Sequence, residues 1–140
     1  MTTIEDLVNY ALLSTTNEKK EIIIDVVPAF QAEIIEKLIG INVLGCKRVI
    51  DNYMRHTIGQ HGSPTLEIKR GQIAITTDDF QKIPMILADP DSIELIGKNN
   101  LKQNLIRYTK RIDELYMIVE AVRIAKWGNK MVYTTMYKRK

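Results

Sequence analysis

At 140 residues, 45% apolar and 26% charged, the chain has the length and mix of one globular domain, long enough to bury a core without covalent staples. Its single cysteine, Cys46, excludes a disulfide framework and a cysteine-rich zinc site, and suits a reducing compartment. The net charge of +3 hides an asymmetry: residues 98–140 carry 11 Lys/Arg and 3 Asp/Glu, whereas residues 1–97 carry 9 and 14. A basic block of this kind is either the footprint of a polyanion-binding surface or a solvated, lysine-rich sheet face.

In chain order, residues 3–13 read as a short helix, with Thr3 as N-cap and Ile4, Leu7, Val8 and Leu12 on one face. Ser14 to Asn17 is turn chemistry, and the β-branched run Ile22 to Val27 reads as a strand. Pro28 suits a helix start, and residues 29–39 place Phe30, Ile34, Ile35, Leu38 and Ile39 on a stripe that Gly40 ends. A second helix is expected over about 46–58, carrying Val49, Ile50, Tyr53, Met54 and Ile58, with Gly59 and Gly62 breaking it. Ser63-Pro64 then opens a polar connector, and Leu66 to Ile75 reads as irregular or extended.

Thr77 or Asp78 caps a short helical segment holding Phe80 and Ile83; Pro84 breaks it before a further turn with Ile86 and Leu87. Asp89-Pro90-Asp91-Ser92 is a turn. The last third reads as strands at about 93–97, 104–112, 115–125 and 130–137. Their short connections imply antiparallel hairpins. Helices followed by such a meander give an α+β fold, N-terminal helices packed on a four-stranded antiparallel sheet. The acidic start lacks the basic region of a secretory leader, and the densest apolar run is broken by Asp25, so no membrane span and a cytoplasmic location are expected.

Two groups of residues can carry chemistry. The only histidines, His56 and His61, lie close together, His56 at the border of the helical stripe and His61 beside Gly59 and Gly62, where backbone can approach a ligand. The bland alternative is a pair of surface histidines favoured by the helix C-terminus. Two histidines five apart share no helix face, so no zinc site is expected. On the strands, alternation puts Tyr108 and Lys110 on one face and Arg107, Thr109 and Arg111 on the other; Tyr133, Thr135 and Tyr137 share a face. An open face of Lys, Arg, Thr and Tyr, Lys138 included, offers phosphate contacts and stacking rings; the alternative is a half-solvated sheet rich in good strand formers. The carboxylates fall at caps and turns rather than converging as a divalent-metal nuclease requires, and there is no Gly-rich phosphate loop.

The order of short blocks is more specific than any one of them. His-x4-His-Gly is followed by Glu67-Ile68-Lys69-Arg70-Gly71-Gln72, Asp79-Phe80, Ile83-Pro84 and Asp89-Pro90-Asp91. Then come Tyr108-Thr109-Lys110-Arg111, Val119-Glu120-Ala121-Val122-Arg123 and Thr135-Met136-Tyr137-Lys138. This pattern, over roughly residues 22–140, resembles the phage-associated Barnase–EndoU–colicin–RelE-like nuclease domains, most closely the third subfamily. The resemblance leaves residues 1–21 as an N-terminal helix and linker before a nuclease domain at 22–140.

The resemblance implies metal-free cleavage of RNA, typically tRNA, in toxin settings, with no cofactor; another use of the basic face is to hold an acidic partner such as an immunity or antitoxin protein. Such a toxin would act in the cytoplasm or be delivered there within a larger protein. Carried over, the catalytic residues are His56, His61, Lys110, Arg123 and Thr135, with Tyr108 and Tyr137 as stacking groups; from the strand faces themselves, Arg107, Arg111 and Lys138 are expected as further RNA contacts. In that reading the 2′-hydroxyl attacks the adjacent phosphorus, His61 takes its proton, and His56 or a strand residue protonates the leaving oxygen. Lys110, Arg123 and Thr135 stabilise the phosphoryl oxygens. The alternative is a non-catalytic RNA- or protein-binding module of the same fold. The turn Ile124 to Asn129 departs from the pattern, being longer and containing Trp127 where a tighter basic hairpin is expected.

Overall fold

A computed structural model describes residues 3–13, 18–52, 54–125 and 128–140; the side chains of His56 and Gln60 lie outside that description. The expected turn at Ser14 to Asn17, Tyr53 in the expected helical stripe, and Trp127 likewise lie outside the described residues. In chain order the elements are α1 (Ile4–Leu13), β1 (Glu21–Val26), α2 (Ala29–Ile39), β2 (Lys47–Asp51), α3 (Met54–His61) and α4 (Pro64–Lys69). A 3₁₀ turn (Thr77–Lys82) leads into α5 (Ile83–Ala88), and β3 (Ser92–Lys98), β4 (Asn104–Ile112), β5 (Glu114–Arg123) and β6 (Lys130–Arg139) complete the chain.

The α+β class holds, but the sheet is larger than expected. It has six strands in the order β1-β2-β6-β5-β4-β3, and it is mixed, because β2 runs parallel to β6. The expected helix over 46–58 is two elements. Its first part, Lys47–Asp51, is a strand that pairs antiparallel with β1, and helix begins only at Met54. The reason is local: Val49-Ile50 is a β-branched pair, and β1 needs a partner for its backbone groups. The stretch after Ser63 is also corrected in part. Ser63 Oγ accepts from Leu66 N at 3.4 Å and Pro64 fills the first turn, so a short helix forms before the chain extends and Ile73 bridges to Lys138.

The register sorts the side chains of β3–β6 onto two faces. Tyr108, Ile118 and Met136 form one cross-strand row, flanked by Ile106, Glu120 and Tyr133 on one side and by Lys110, Tyr116 and Lys138 on the other. This face packs on the 3₁₀ turn and α5 through Phe80, Ile83, Ile86 and Leu87, all buried, with the Phe80 and Tyr133 rings edge-on at 6.5 Å. Helix α1 buries Ile4, Leu7, Val8 and Ala11 in the same core. Two ionic groups lock this side. Glu120, fully buried, lies 3.3 Å from Arg48 Nε, and the Arg48 guanidinium also donates to Gln31 Oε1 and to the Leu87 carbonyl. Asp79 accepts from Tyr116 Oη (2.7 Å) and Thr76 N (2.8 Å) and pairs with Lys138 Nζ at 3.0 Å. Burial works to raise the Asp79 pKa, but the donors at Thr76, Tyr116 and Lys138 outweigh it and hold the carboxyl down to about 2.

Candidate active site

The second face carries the rows Arg107–Val119–Thr135, Thr109–Met117–Tyr137 and Arg111–Leu115–Arg139. Beside them, on the side away from β5, β6 has no strand neighbour past Val132. There α3 and the segment after α4 cover its edge, and Thr57 Oγ1 bonds the Tyr133 hydroxyl and lies 3.5 Å from Thr135 Oγ1.

Helices α3 and α4 are joined by only Gly62 and Ser63. Gly62 N donates to Ile58 O at 3.0 Å, and a Cβ at Gly62 would collide with that carbonyl oxygen, so the tight join needs glycine. The reversal brings two residues six apart in sequence into contact: His61 Nδ1 lies 3.1 Å from Glu67 Oε2. Glu67 is 0% exposed, and its other oxygen accepts from Arg70 Nη1 at 2.8 Å. A buried carboxylate without such partners would cost several kcal/mol, on the order of an unpaired buried ion. The backbone braces the same spot, with Gln72 N donating to Glu67 O and Ile75 N to His61 O, both at 2.7 Å.

The His61 ring sits 5.6 Å from the Tyr137 ring, tilted by 32°. Arg107 Nη1 donates to the Tyr137 hydroxyl at 3.2 Å and Nη2 pairs with Glu94 at 3.2 Å. The Tyr137 hydroxyl and the Glu94 carboxylate raise the Arg107 pKa against its partial burial. Arg70, Gln72, Arg107, Thr109, Tyr137 and Arg139 line a groove of about 410 Å³ here. Chemically the cluster offers an imidazole fixed by a carboxylate, a hydroxyl held by a guanidinium, and further cations on one surface.

Not every residue expected at a site lies on this face. Arg107, Arg111, Thr135 and Tyr137 share it, and Arg123 lies on it further along β5. Tyr108, Lys110 and Lys138 point to the opposite side. Tyr108 is 0% exposed beneath the helices, where burial pushes its hydroxyl pKa well up, so it offers no stacking surface. Lys110 Nζ donates to the Asp89 carbonyl at 2.7 Å, and Lys138 is buried between Asp79 and Glu114. Alternation pairs Tyr108 with Lys110 correctly but does not show which face the 3₁₀ turn and α5 cover, and its placing of Tyr133 with Thr135 and Tyr137 is corrected: the bulge at Thr134 turns Tyr133 to the helix side. Arg123 is six residues along β5 from Met117, the partner of Tyr137, which at strand rise is about 20 Å. His56 lies on α3, with its side chain outside the described residues. Glu67, Arg70 and Thr57 were not expected. Reading Ser63-Pro64 as a helix start would have put Glu67 on a helix reversing beside His61.

No curated protein and no solved structure matches the chain. A family model described as phage-Barnase-EndoU-ColicinE5/D-RelE like nuclease3 matches residues 25–140, from the end of β1 through β6. That match covers most of the chain and every residue of the cluster around His61, and the chain therefore belongs to this family of nuclease-like domains.

Proposed function

We propose that the chain is a metal-independent endoribonuclease of the toxin type, with tRNA the substrate class to test first, and that His61 is its general base. The observation that carries this reading is the His61–Glu67 contact beside the Tyr137–Arg107 pair. A buried carboxylate that accepts from Nδ1 fixes the tautomer and the ring, which leaves Nε2 for proton exchange with substrate. Among the described residues no three His, Cys, Asp or Glu side chains come together as a metal-ligand set.

In the proposed reaction His61 Nε2 takes the proton of a ribose 2′-hydroxyl, and the 2′-oxygen forms a bond to the adjacent phosphorus. The bond from phosphorus to the 5′-oxygen breaks, giving a 2′,3′-cyclic phosphate. The Tyr137 hydroxyl accepts from Arg107 and so keeps its own proton to give to the departing 5′-oxygen, while Arg107 stabilises the phenolate left behind. Arg107, with Thr135 steadied by Thr57, donates to the phosphoryl oxygens; such donors typically contribute about 10²–10³-fold each. An immunity or antitoxin protein would silence the enzyme by covering this basic face. Incubation with total RNA in excess EDTA tests the reading: cleavage to 2′,3′-cyclic ends is expected at full rate. Activity that disappears in EDTA and returns with magnesium contradicts it.

A further inference from the structure

The open face continues past Thr135 to a second, larger cavity of about 690 Å³. Ala121 and Val132, which pair across β5 and β6 and are themselves buried, lie beneath it. Its rim carries Arg55, Arg123 and Lys19, with the Asp51 carboxylate 3.9 Å from Lys19 Nζ. Arg55 Nε is anchored to the Ala11 carbonyl of α1 at 2.7 Å, yet Arg55 Nη2 and Arg123 Nε are buried without a hydrogen-bond partner among the described residues. Buried guanidinium N–H groups left over beside a cavity call for an anionic oxygen from outside the chain. Ala121 lies four residues along β5 from Met117, about 13 Å from the row that holds Tyr137. That is the reach of about four stacked nucleotides, fewer in an extended strand.

We infer that this cavity is a distal nucleotide subsite: it takes one nucleotide of a single-stranded RNA, with its phosphate on Arg55 and Arg123. The inference rests on the ribonuclease reading for the direction of the strand, and it moves Arg123 from the scissile phosphate to a flanking one. It also gives α1 a task. That helix precedes the residues matched to the nuclease family, and it fixes the guanidinium that the subsite uses. The bulge at Thr134, the extra residue between the Val119–Thr135 and Glu120–Tyr133 pairs, turns β6 between the two cavities.

The test uses 2′-O-methyl oligoribonucleotides, which lack the attacking hydroxyl, from dinucleotide to octanucleotide, with binding read by fluorescence polarisation in EDTA. Affinity is expected to rise by about tenfold once the oligomer spans both cavities. Arg123→Gln should abolish that step and leave dinucleotide affinity unchanged. Thr134→Trp, which keeps both arginines and narrows the cavity, should abolish the same step, so the result does not depend on one variant folding well. A smooth length dependence, unaltered by either variant, overturns the subsite. Cleavage of RNA in EDTA without the step removes the subsite alone. A step without any cleavage leaves the subsite standing and removes the ribonuclease reading.

Discussion

Glu67 is the residue on which the proposed chemistry leans without touching substrate. It sits wholly inside the protein, holding His61 with one oxygen and Arg70 with the other. Glu67→Gln keeps the shape, but a carboxamide cannot accept from both donors, and one of them would face its NH₂ group. RNA cleavage should fall by about 10²-fold, because the imidazole is no longer held in one tautomer and one orientation. A loss of thermal stability with an unaltered cleavage rate would make Glu67 a structural residue only. The sequence exposed His61 through its rarity and its glycine neighbours. It concealed Glu67, because Leu66 to Ile75 reads as irregular or extended, and only the Gly62-Ser63 reversal brings Glu67 back to His61.

At the scale of elements, two joints position the cluster. The first is the α3–α4 reversal. Gly62→Ala would drive a methyl group into the Ile58 carbonyl and should destabilise the fold by about 1–3 kcal/mol, measured by thermal or denaturant unfolding. Because the same joint carries His61, activity should fall at temperatures where the variant is still folded. The second joint ties the 3₁₀ turn to the ends of β5 and β6 through Asp79, Tyr116 and Lys138. Burial, and then the hydrogen bond to Asp79, raise the Tyr116 pKa to about 12, in keeping with a hydroxyl that serves as donor there.

The Asp79 carboxyl has a folded pKa of about 2 against an ordinary 3.8. Its contribution is therefore complete above pH 3.8, shrinks as pH falls towards 2, and is absent below. The shift corresponds to about 2 kcal/mol. Unfolding followed from pH 5 to pH 2 should show this loss in the wild type and a shallower fall in Asp79→Asn. Equal slopes in the two would contradict the assignment.

The last four strands were readable because each is bounded by turn residues and joined to the next by a short connection. Strand β2 was not, because Val49-Ile50 followed by Tyr53 and Met54 satisfies helical spacing as well as a short strand. What decides between them is β1 on one side and residues 130–132 on the other, contacts that only the folded chain supplies.

For the molecule as a whole, folding sorts the basic C-terminal third. Arg107, Arg111, Arg123 and Arg139 share the open face, whereas Lys110 and Lys138 are spent on carboxylates and carbonyls of the other side. The charge count announced a basic surface, and alternation divided it into two faces; only the packing of α5 and the 3₁₀ turn shows which face is open. Among the described residues no helix is long and apolar enough to cross a membrane.

The central claim is that His61, held by Glu67 beside Tyr137 and Arg107, is the base of an RNA-cutting centre. Its most direct test compares wild type with His61→Ala on RNA in EDTA, under single-turnover conditions, with the unfolding of both proteins measured alongside. The account predicts 2′,3′-cyclic phosphate and 5′-hydroxyl ends from the wild type, and a rate about 10²–10⁴-fold lower from a variant that folds equally well. A folded His61→Ala protein that cuts at the wild-type rate would contradict it.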